Sequence, residues 1–304
     1  MEKILLKRFL NYIEIQTKIT STFTFAITIA FLLYRKQIIN WKLTFIFFAA
    51  MFLFDLTTTA INNYIDSRTN HQSLGFSRRT ALLIIYCLFG ISTALGLYLA
   101  FSSDLVVFFC GMVCFLCGVF YTYGPLPISR QPLGEIFSGF FYGVMIPFIL
   151  LYINSEPGTY LSYHLSLTSL SLEVKIVPFL VLLLFSVAPF CTTANIMLAN
   201  NICDVENDIK VKRYTLPYYI GRKALYLFAG LYYLTYAATV AMVILGILSP
   251  VCLLSLLSIF LVQKNINTFF HRQEKAVTFI CSIKNFIIIM GTNAAFIFIS
   301  CLVP

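Results

Sequence analysis

Residues 194–223 read ANIMLANNICDVENDIKVKRYTLPYYIGRK. An apolar run with the composition of a membrane helix ends here in two amides, Asn200 and Asn201. Asp204, Glu206 and Asp208 follow, then Lys210, Lys212 and Arg213. A chain with only 12 acidic residues has placed three of them within five positions. Asp204 and Asp208 stand four apart, so on a helix their carboxylates share one face and repel unless a cation lies between them. Hard oxygen ligands of this kind suit Mg²⁺, which is held by one or two carboxylates together with substrate phosphates. The basic residues just beyond can clamp such a phosphate. The stretch is a candidate metal–diphosphate site at a membrane surface.

Outward from this stretch the chain is 60% hydrophobic and 11% charged. That excludes a soluble globular domain, which needs more polar surface to cover its core. Apolar runs of about 20 residues mark membrane-spanning helices, and nine are expected: 19–34, 42–63, 80–101, 105–123, 134–153, 176–200, 223–246, 248–263 and 279–302. The seventh and eighth part only near Ser249-Pro250, which leaves eight as the alternative count. The expected fold class is all-α, a polytopic membrane protein, with residues 1–304 as a single integral-membrane domain.

With nine spans and the N-terminus inside, only Arg35, Lys36, Lys42 and Lys175 of the 21 Lys and Arg fall on the outer side. Basic residues concentrate on the cytoplasmic side of membrane proteins. The bias therefore predicts a multi-pass protein of the cell membrane, with its N-terminus and acidic cluster facing the cytoplasm. The net charge of +9 reflects the same bias and calls for no nucleic acid; it also suits anionic lipid and substrate. Lys3, Lys7 and Arg8 open the chain without a small-residue cleavage site, so no signal peptide is expected. The nine cysteines are scattered, with Cys110, Cys114 and Cys117 at i, i+4, i+7. They read as small residues at a helix–helix contact rather than a soft-metal site, and imply no disulfide framework.

In chain order, residues 1–18 form an interfacial lead-in, with Phe9, Leu10, Tyr12 and Ile13 beside Lys7, Arg8 and Lys18. Lys18 reads either as a phosphate ligand or as a topology anchor. The second span runs FIFFAAMFLFDLTTTAINNYIDSRTN, residues 45–70, and on a helix lines up Asn62, Asp66 and Asn70. Asp55 lies on the same stripe, deeper in the bilayer, where a carboxylate is costly. It is either functional or bonded to Thr57–Thr59 or a neighbouring helix. His71 reads as a base or a solvated loop histidine; Arg78 and Arg79 then open the third span. In YTYGPLPISRQPLGE, Tyr121 to Glu135, Gly124, Pro125 and Pro127 stop a helix and make a short cytoplasmic turn. Tyr121, Tyr123, Arg130 and Glu135 then sit at the surface of the carboxylates, although Glu135 also suits a plain helix N-terminus. Residues 154–175 read as an outer interfacial loop without clustered chemistry.

Spans two and six both end in Asn-Asn followed by Asp, as NNYID and NNICD, the signature of a duplicated element. Together with the YTYGPLP…LGE turn, the pattern closely resembles the UbiA superfamily of intramembrane aromatic prenyltransferases. It looks most like the menaquinone-branch 1,4-dihydroxy-2-naphthoate polyprenyltransferases. Their second motif is close to NN-x-x-D-x-x-x-D followed by Lys-x-Thr-Leu; here it stands as Asn200, Asn201, Asp204, Asp208, Arg213, Thr215 and Leu216.

The resemblance implies a nine-helix bundle around a lateral central cavity open to lipid. Its activity would move a polyprenyl group from its diphosphate onto 1,4-dihydroxy-2-naphthoate to give demethylmenaquinone. It implies Mg²⁺ as cofactor, held by Asn62, Asp66, Asp204 and Asp208, with Asp66, Asp204 and Asp208 catalytic. Asn62, Asn201, Lys18, Arg78, Lys212 and Arg213 would contact the diphosphate, and Tyr121, Tyr123 and Arg130 the acceptor. The first motif departs from the family's Asn-Asp-x-x-Asp-x-x-x-Asp by carrying amides at Asn63 and Asn70, and Asp55 or Glu206 are candidates to compensate. Lys212 stands where the family has glycine. The alternatives are a superfamily relative with another acceptor (another aromatic, a tetrapyrrole or a glycerophosphate lipid), or a non-catalytic lipid-binding or transport protein.

Overall fold

The computed structural model describes residues 2–69, 74–124, 127–166 and 168–302. Among them, nine helices are long and apolar enough to cross a membrane: Ile15–Tyr34, Trp41–Ser67, Arg78–Ser102, Leu105–Thr122, Gly134–Tyr152, Ile176–Lys210, Lys223–Ile244, Pro250–His271 and Ile280–Ser300. Each expected apolar run becomes one of these. The seventh and eighth are separate, because the chain leaves its helix at Ile244, turns through Gly246 at φ 68°, and restarts at Pro250. The helices fall into two compact units, Met1–Thr22 with Asn40–Arg130, and Phe23–Ile39 with Gln131–Pro304.

The first unit holds α1 (Glu2–Tyr12), a 3-10 turn (Ile15–Lys18) and the start of α2 (Ile19–Tyr34), followed by α3 (Trp41–Thr69), α4 (Arg78–Ser102) and α5 (Leu105–Thr122). Its core is Tyr12, Ile13, Leu56, Ala60, Ala81, Ile85 and Leu88. The lead-in is thus part of the core: burial pushes the Tyr12 phenol up to about 12, and its hydroxyl donates to the Ala60 carbonyl at 3.0 Å. Ser77 and Asp104 cap α4 and α5 by accepting from Thr80 N and from Val106 and Val107 N, satisfying first-turn donors. Gly118 lets α5 close on α3, since a Cβ there would stand 2.6 Å from the Phe54 ring. Cys110, Cys114 and Cys117 on the same helix are free and half-buried, as a packing role requires.

The second unit takes the rest of α2, then α6 (Gly134–Phe140), which passes through a π turn (Phe141–Met145) into α7 (Ile146–Tyr152). After it come β1 (Leu161–Leu165) and β2 (Leu170–Val174), α8 (Ile176–Lys210), α9 (Leu216–Ile220) and α10 (Lys223–Ile244). A 3-10 helix (Pro250–Ser258) then leads into α11 (Ile259–His271), and α12 (Ile280–Ser300) closes the unit. Leu198, Ala199, Phe228, Tyr232, Phe269 and Ile289 centre its core. In a 3-10 helix every third side chain is in register, and here Cys252, Ser255 and Ser258 are all buried. The Ser258 and Tyr236 hydroxyls lie 2.7 Å apart.

Two features differ from expectation. Residues 161–174 pair as an antiparallel hairpin, Leu161 opposite Val174 and Leu165 opposite Leu170, where an irregular loop was expected. LSYHL and LSLEV each alternate apolar with polar residues, the period of a strand, over too few residues to stand out. The π turn was also not expected. Such turns insert one residue into a helix, and this one lies where the chain touches α8. A Cβ on Gly143 would stand 2.3 Å from Phe190 N, so the two backbones are in contact at Pro189-Phe190.

Candidate functional site

At 1.5 Å per residue the 35 residues of α8 extend about 52 Å, well beyond a hydrocarbon core of about 30 Å. Its last turns carry Asn201, Asp204 and Asp208 on one stripe. Asn201 is 1% exposed and Asp208 7%, while Glu206 on another face is exposed and does not join them. The helix ends in a Schellman motif: Arg213 N donates to Asp208 O at 2.8 Å and Lys212 N to Ile209 O at 3.1 Å. This reversal requires a left-handed residue, and Lys212 supplies it at φ 57°. The family's glycine at this position therefore has a backbone reason. The turn also folds Arg213 back, placing Nη1 3.8 Å from Asp208 Oδ1.

Two partners of this stripe come from elsewhere in the unit. Lys275 forms an ion pair with Asp204. Glu135, 4% exposed, accepts from Asn201 Nδ2 at 2.8 Å. Glu135 is thus not a solvated helix-end charge. The Gly143–Phe190 contact, together with Gly139, where a Cβ would stand 3.0 Å from the Phe190 ring, presses α6 onto α8 and brings the two side chains together. Glu135 Oε2, Asn201 Oδ1 and Asp208 Oδ2 are buried without a hydrogen-bond partner among the described residues. Buried polar oxygens in this state are uncommon, and those on the α8 stripe, Asn201 Oδ1 and Asp208 Oδ2, are acceptors that fit a hard cation. Among the described residues no three His, Cys, Asp or Glu side chains form a metal-holding group, so this donor set fits Mg²⁺ only in company with substrate phosphates.

The first unit carries the other motif at the C-terminal end of α3. Asn62 accepts from Thr122 Oγ1 at 3.2 Å, which ties it to the end of α5, one residue from half-buried Tyr121. Asp66 is half-buried one turn further on. Arg78 comes to the same end: it lies over the Tyr64 ring at 4.2 Å and donates to Ser67 Oγ at 3.3 Å. Tyr123 and Arg130 are exposed. Asn63 donates to Tyr12 O at 2.9 Å and Glu14 Oε1 at 3.0 Å, which gives its departure from aspartate a cause: a carboxylate there would face another carboxylate and a carbonyl. Asn70, His71 and Pro125 lie outside the described residues.

For Asp55 the structure shows the bonded alternative, with Lys18 as its partner. Lys18 is buried and donates to Asp55 Oδ1, Asp55 O and Thr59 Oγ1, which uses all three ammonium protons. With these bonds made it is a structural partner of Asp55 and keeps no ammonium proton for a phosphate.

A sequence profile of the UbiA prenyltransferase family matches residues 23–286. The chain belongs to the UbiA prenyltransferase family. This UbiA-family chain is 31% identical over 177 residues to the 1,4-dihydroxy-2-naphthoate octaprenyltransferase of Bacillus subtilis (strain 168), a match covering 58% of this chain and 50% of that relative. The alignment thus spans half of the relative's length. Among solved structures, the fold is similar to that of a digeranylgeranylglyceryl phosphate synthase, with TM-score 0.65 and 17% identity over 99% of both chains. It is also similar to a UbiA homologue from Archaeoglobus fulgidus bound to DMAPP and Mg²⁺, with TM-score 0.62 and 15% identity over 98% of this chain and 100% of that one. A third is a UbiA homologue from Aeropyrum pernix K1, with TM-score 0.61 and 16% identity over 94% and 98%. The all-α membrane fold expected from the sequence is the one these UbiA proteins share.

Of the residues that meet the α8 stripe, Lys275 was not expected, and Glu135 was expected only at the same surface as the carboxylates. Glu135 carried a signal, as a carboxylate opening an apolar span. Lys275 carried none, being 71 residues from the aspartate that it pairs with.

Proposed function

We propose that this protein is a Mg²⁺-dependent prenyltransferase that joins a polyprenyl group from its diphosphate to 1,4-dihydroxy-2-naphthoate, on the way to demethylmenaquinone. The observation that carries the chemistry is the α8 stripe of Asn201, Asp204 and Asp208, with Asn201 Oδ1 and Asp208 Oδ2 unpartnered among the described residues and Arg213 folded back beside it. The acceptor rests on the likeness to the B. subtilis naphthoate octaprenyltransferase.

Diphosphate leaves carbon readily only when its charge is neutralised, and Mg²⁺ supplies that when bound. Asp204 and Asp208 hold the metal, while Arg213 and the exposed Lys212 donate to phosphate oxygens. Asn62 and Asp66, with Arg78 beside them, are assigned to metal and diphosphate binding through the likeness of their motif to the second one. Arg130 is assigned to the acceptor's carboxylate, which a guanidinium recognises in two-point fashion, with Tyr121 and Tyr123 near its ring. Apolar surroundings would keep water from the allylic cation left when diphosphate departs, until the aromatic ring attacks it and gives up a proton or its carboxyl group as CO2. Residues 1–304 work as one domain in this reading, supported by a family match that runs through both units. The basic-residue bias supports a cytoplasmic N-terminus and active site in the cell membrane.

The test is prenyl transfer by purified protein with 1,4-dihydroxy-2-naphthoate and a polyprenyl diphosphate, with and without Mg²⁺. Metal-dependent product that disappears in Asp204→Ala and Asp208→Ala, by on the order of 10²-fold or more, is the expected result. Diphosphate binding without product would move the assignment to another acceptor, such as a glycerophosphate lipid. Loss of both would leave a non-catalytic lipid-binding protein.

A further inference from the structure

Asn201 is presented by another side chain. Its Nδ2 donates to Glu135 Oε1 at 2.8 Å, and its Oδ1 is buried without a partner among the described residues. An amide has one oxygen and one nitrogen to offer, and the two look alike in shape. Facing a carboxyl oxygen, only the nitrogen is tolerated, since the opposite orientation would set oxygen against oxygen. Glu135 therefore decides which end of Asn201 is left over, and it leaves the oxygen. That oxygen lies on the stripe of Asp204 and Asp208, whose outer oxygen on Asp208 is likewise unpartnered.

We propose that Glu135 is a positioning residue for the metal–diphosphate site: it fixes the amide of Asn201 so that an acceptor oxygen, and not a donor, joins the two aspartates. The proposal rests on the function given above. It assigns Glu135 no contact with the substrate or metal. Its effect is to supply an uncharged oxygen beside two carboxylates, whereas a flipped amide would point two N–H bonds at the cation. The helix contact at Gly143 is part of the device, because it holds α6 close enough to α8 for the 2.8 Å bond. Partners of this outer kind typically change metal affinity by about 10–100-fold.

The experiment is binding rather than turnover. Mn²⁺ is titrated into purified protein with inorganic diphosphate present, and bound metal is read by electron paramagnetic resonance. Glu135→Ala is expected to weaken Mn²⁺ binding about tenfold or more, and to add nothing in a background of Asn201→Ala, since the two act as one unit. Asn201→Asp sets oxygen against oxygen and should weaken binding similarly. Adding Glu135→Gln to it restores a donor–acceptor pair in the reverse sense and should return affinity to within about threefold of the unsubstituted protein. Rescue by this swap does not depend on Glu135→Ala folding. Unchanged binding in Glu135→Ala, multiplying effects of the two alanines, or failure of the swap to rescue would overturn the positioning role alone. Absence of diphosphate-dependent Mn²⁺ binding by the unsubstituted protein would overturn the proposed function as well.

Discussion

Lys18 Nζ lies 2.7 Å from Asp55 Oδ1, and neither side chain is more than 5% exposed. Ser21 Oγ donates to the other carboxylate oxygen at 2.7 Å, so the charge within α3 is neutralised and hydrogen-bonded on both oxygens. Removing one member of such a pair costs more than removing both, because it strands a buried charge. Lys18→Met should therefore destabilise by about 3–5 kcal/mol, while Lys18→Met with Asp55→Leu should recover most of the loss. Thermal unfolding in detergent reads both; a single variant as stable as the original chain would mean that the pair does not hold the 3-10 turn to α3.

Gly143 has no room for a side chain. The nearest obstacles to a Cβ are backbone atoms of Phe190 and Pro189, which cannot rotate away. Gly143→Ala should lower stability by about 1–3 kcal/mol, the usual cost of overpacking, and should also lower prenyl transfer by separating Glu135 from Asn201. The same substitution at Gly230, where a Cβ meets nothing within 4 Å, is the control and should leave both readings unchanged.

Lys212 sits in a left-handed conformation that costs an L-residue about 1–2 kcal/mol. Lys212→Gly should raise the unfolding temperature, as relief of about 1 kcal/mol would. It also deletes a cation assigned to the diphosphate, so affinity for that group should fall about tenfold. Opposite movement of the two readings is the distinctive outcome. A fall in both would place the Lys212 side chain in the packing of the helix end.

Lys275 pairs with the carboxylate of Asp204, for which a divalent cation would compete under the proposed function. Lys275→Ala should then tighten metal binding severalfold at low ionic strength, with less effect at high salt, where screening weakens the lysine already. Isothermal titration with Mg²⁺ and diphosphate at two salt concentrations checks this. Weaker binding in the variant would show that the ammonium assists the anion instead of opposing the metal.

The spans were legible because the bilayer sets their length: nine apolar runs became nine helices, and uncertainty at Ser249-Pro250 ended with the turn at Gly246. The stripe of Asp204 and Asp208 was legible from spacing alone, since i and i+4 share a helical face in any context. Partners were not. Periodicity says which face a residue occupies but not what meets it, so Asp55 gave no sign of choosing Lys18, 37 residues away, nor Glu135 of choosing Asn201, 66 away. Asn63 shows the same limit from the other side. As a missing carboxylate it looked like a weakened metal site, and it proves to be an amide donor holding Tyr12 and Glu14.

The 3-10 stretch of the eighth span sets a rule for its own evolution. With three residues per turn, Cys252, Ser255 and Ser258 stack along one edge, so the buried seam is written in triplets. Gaining or losing one residue between Pro250 and Ser258 would rotate everything on one side of the change by a third of a turn, turning a leucine such as Leu254 or Leu257 into the seam. Length changes there should be tolerated in steps of three, as a reading frame tolerates them.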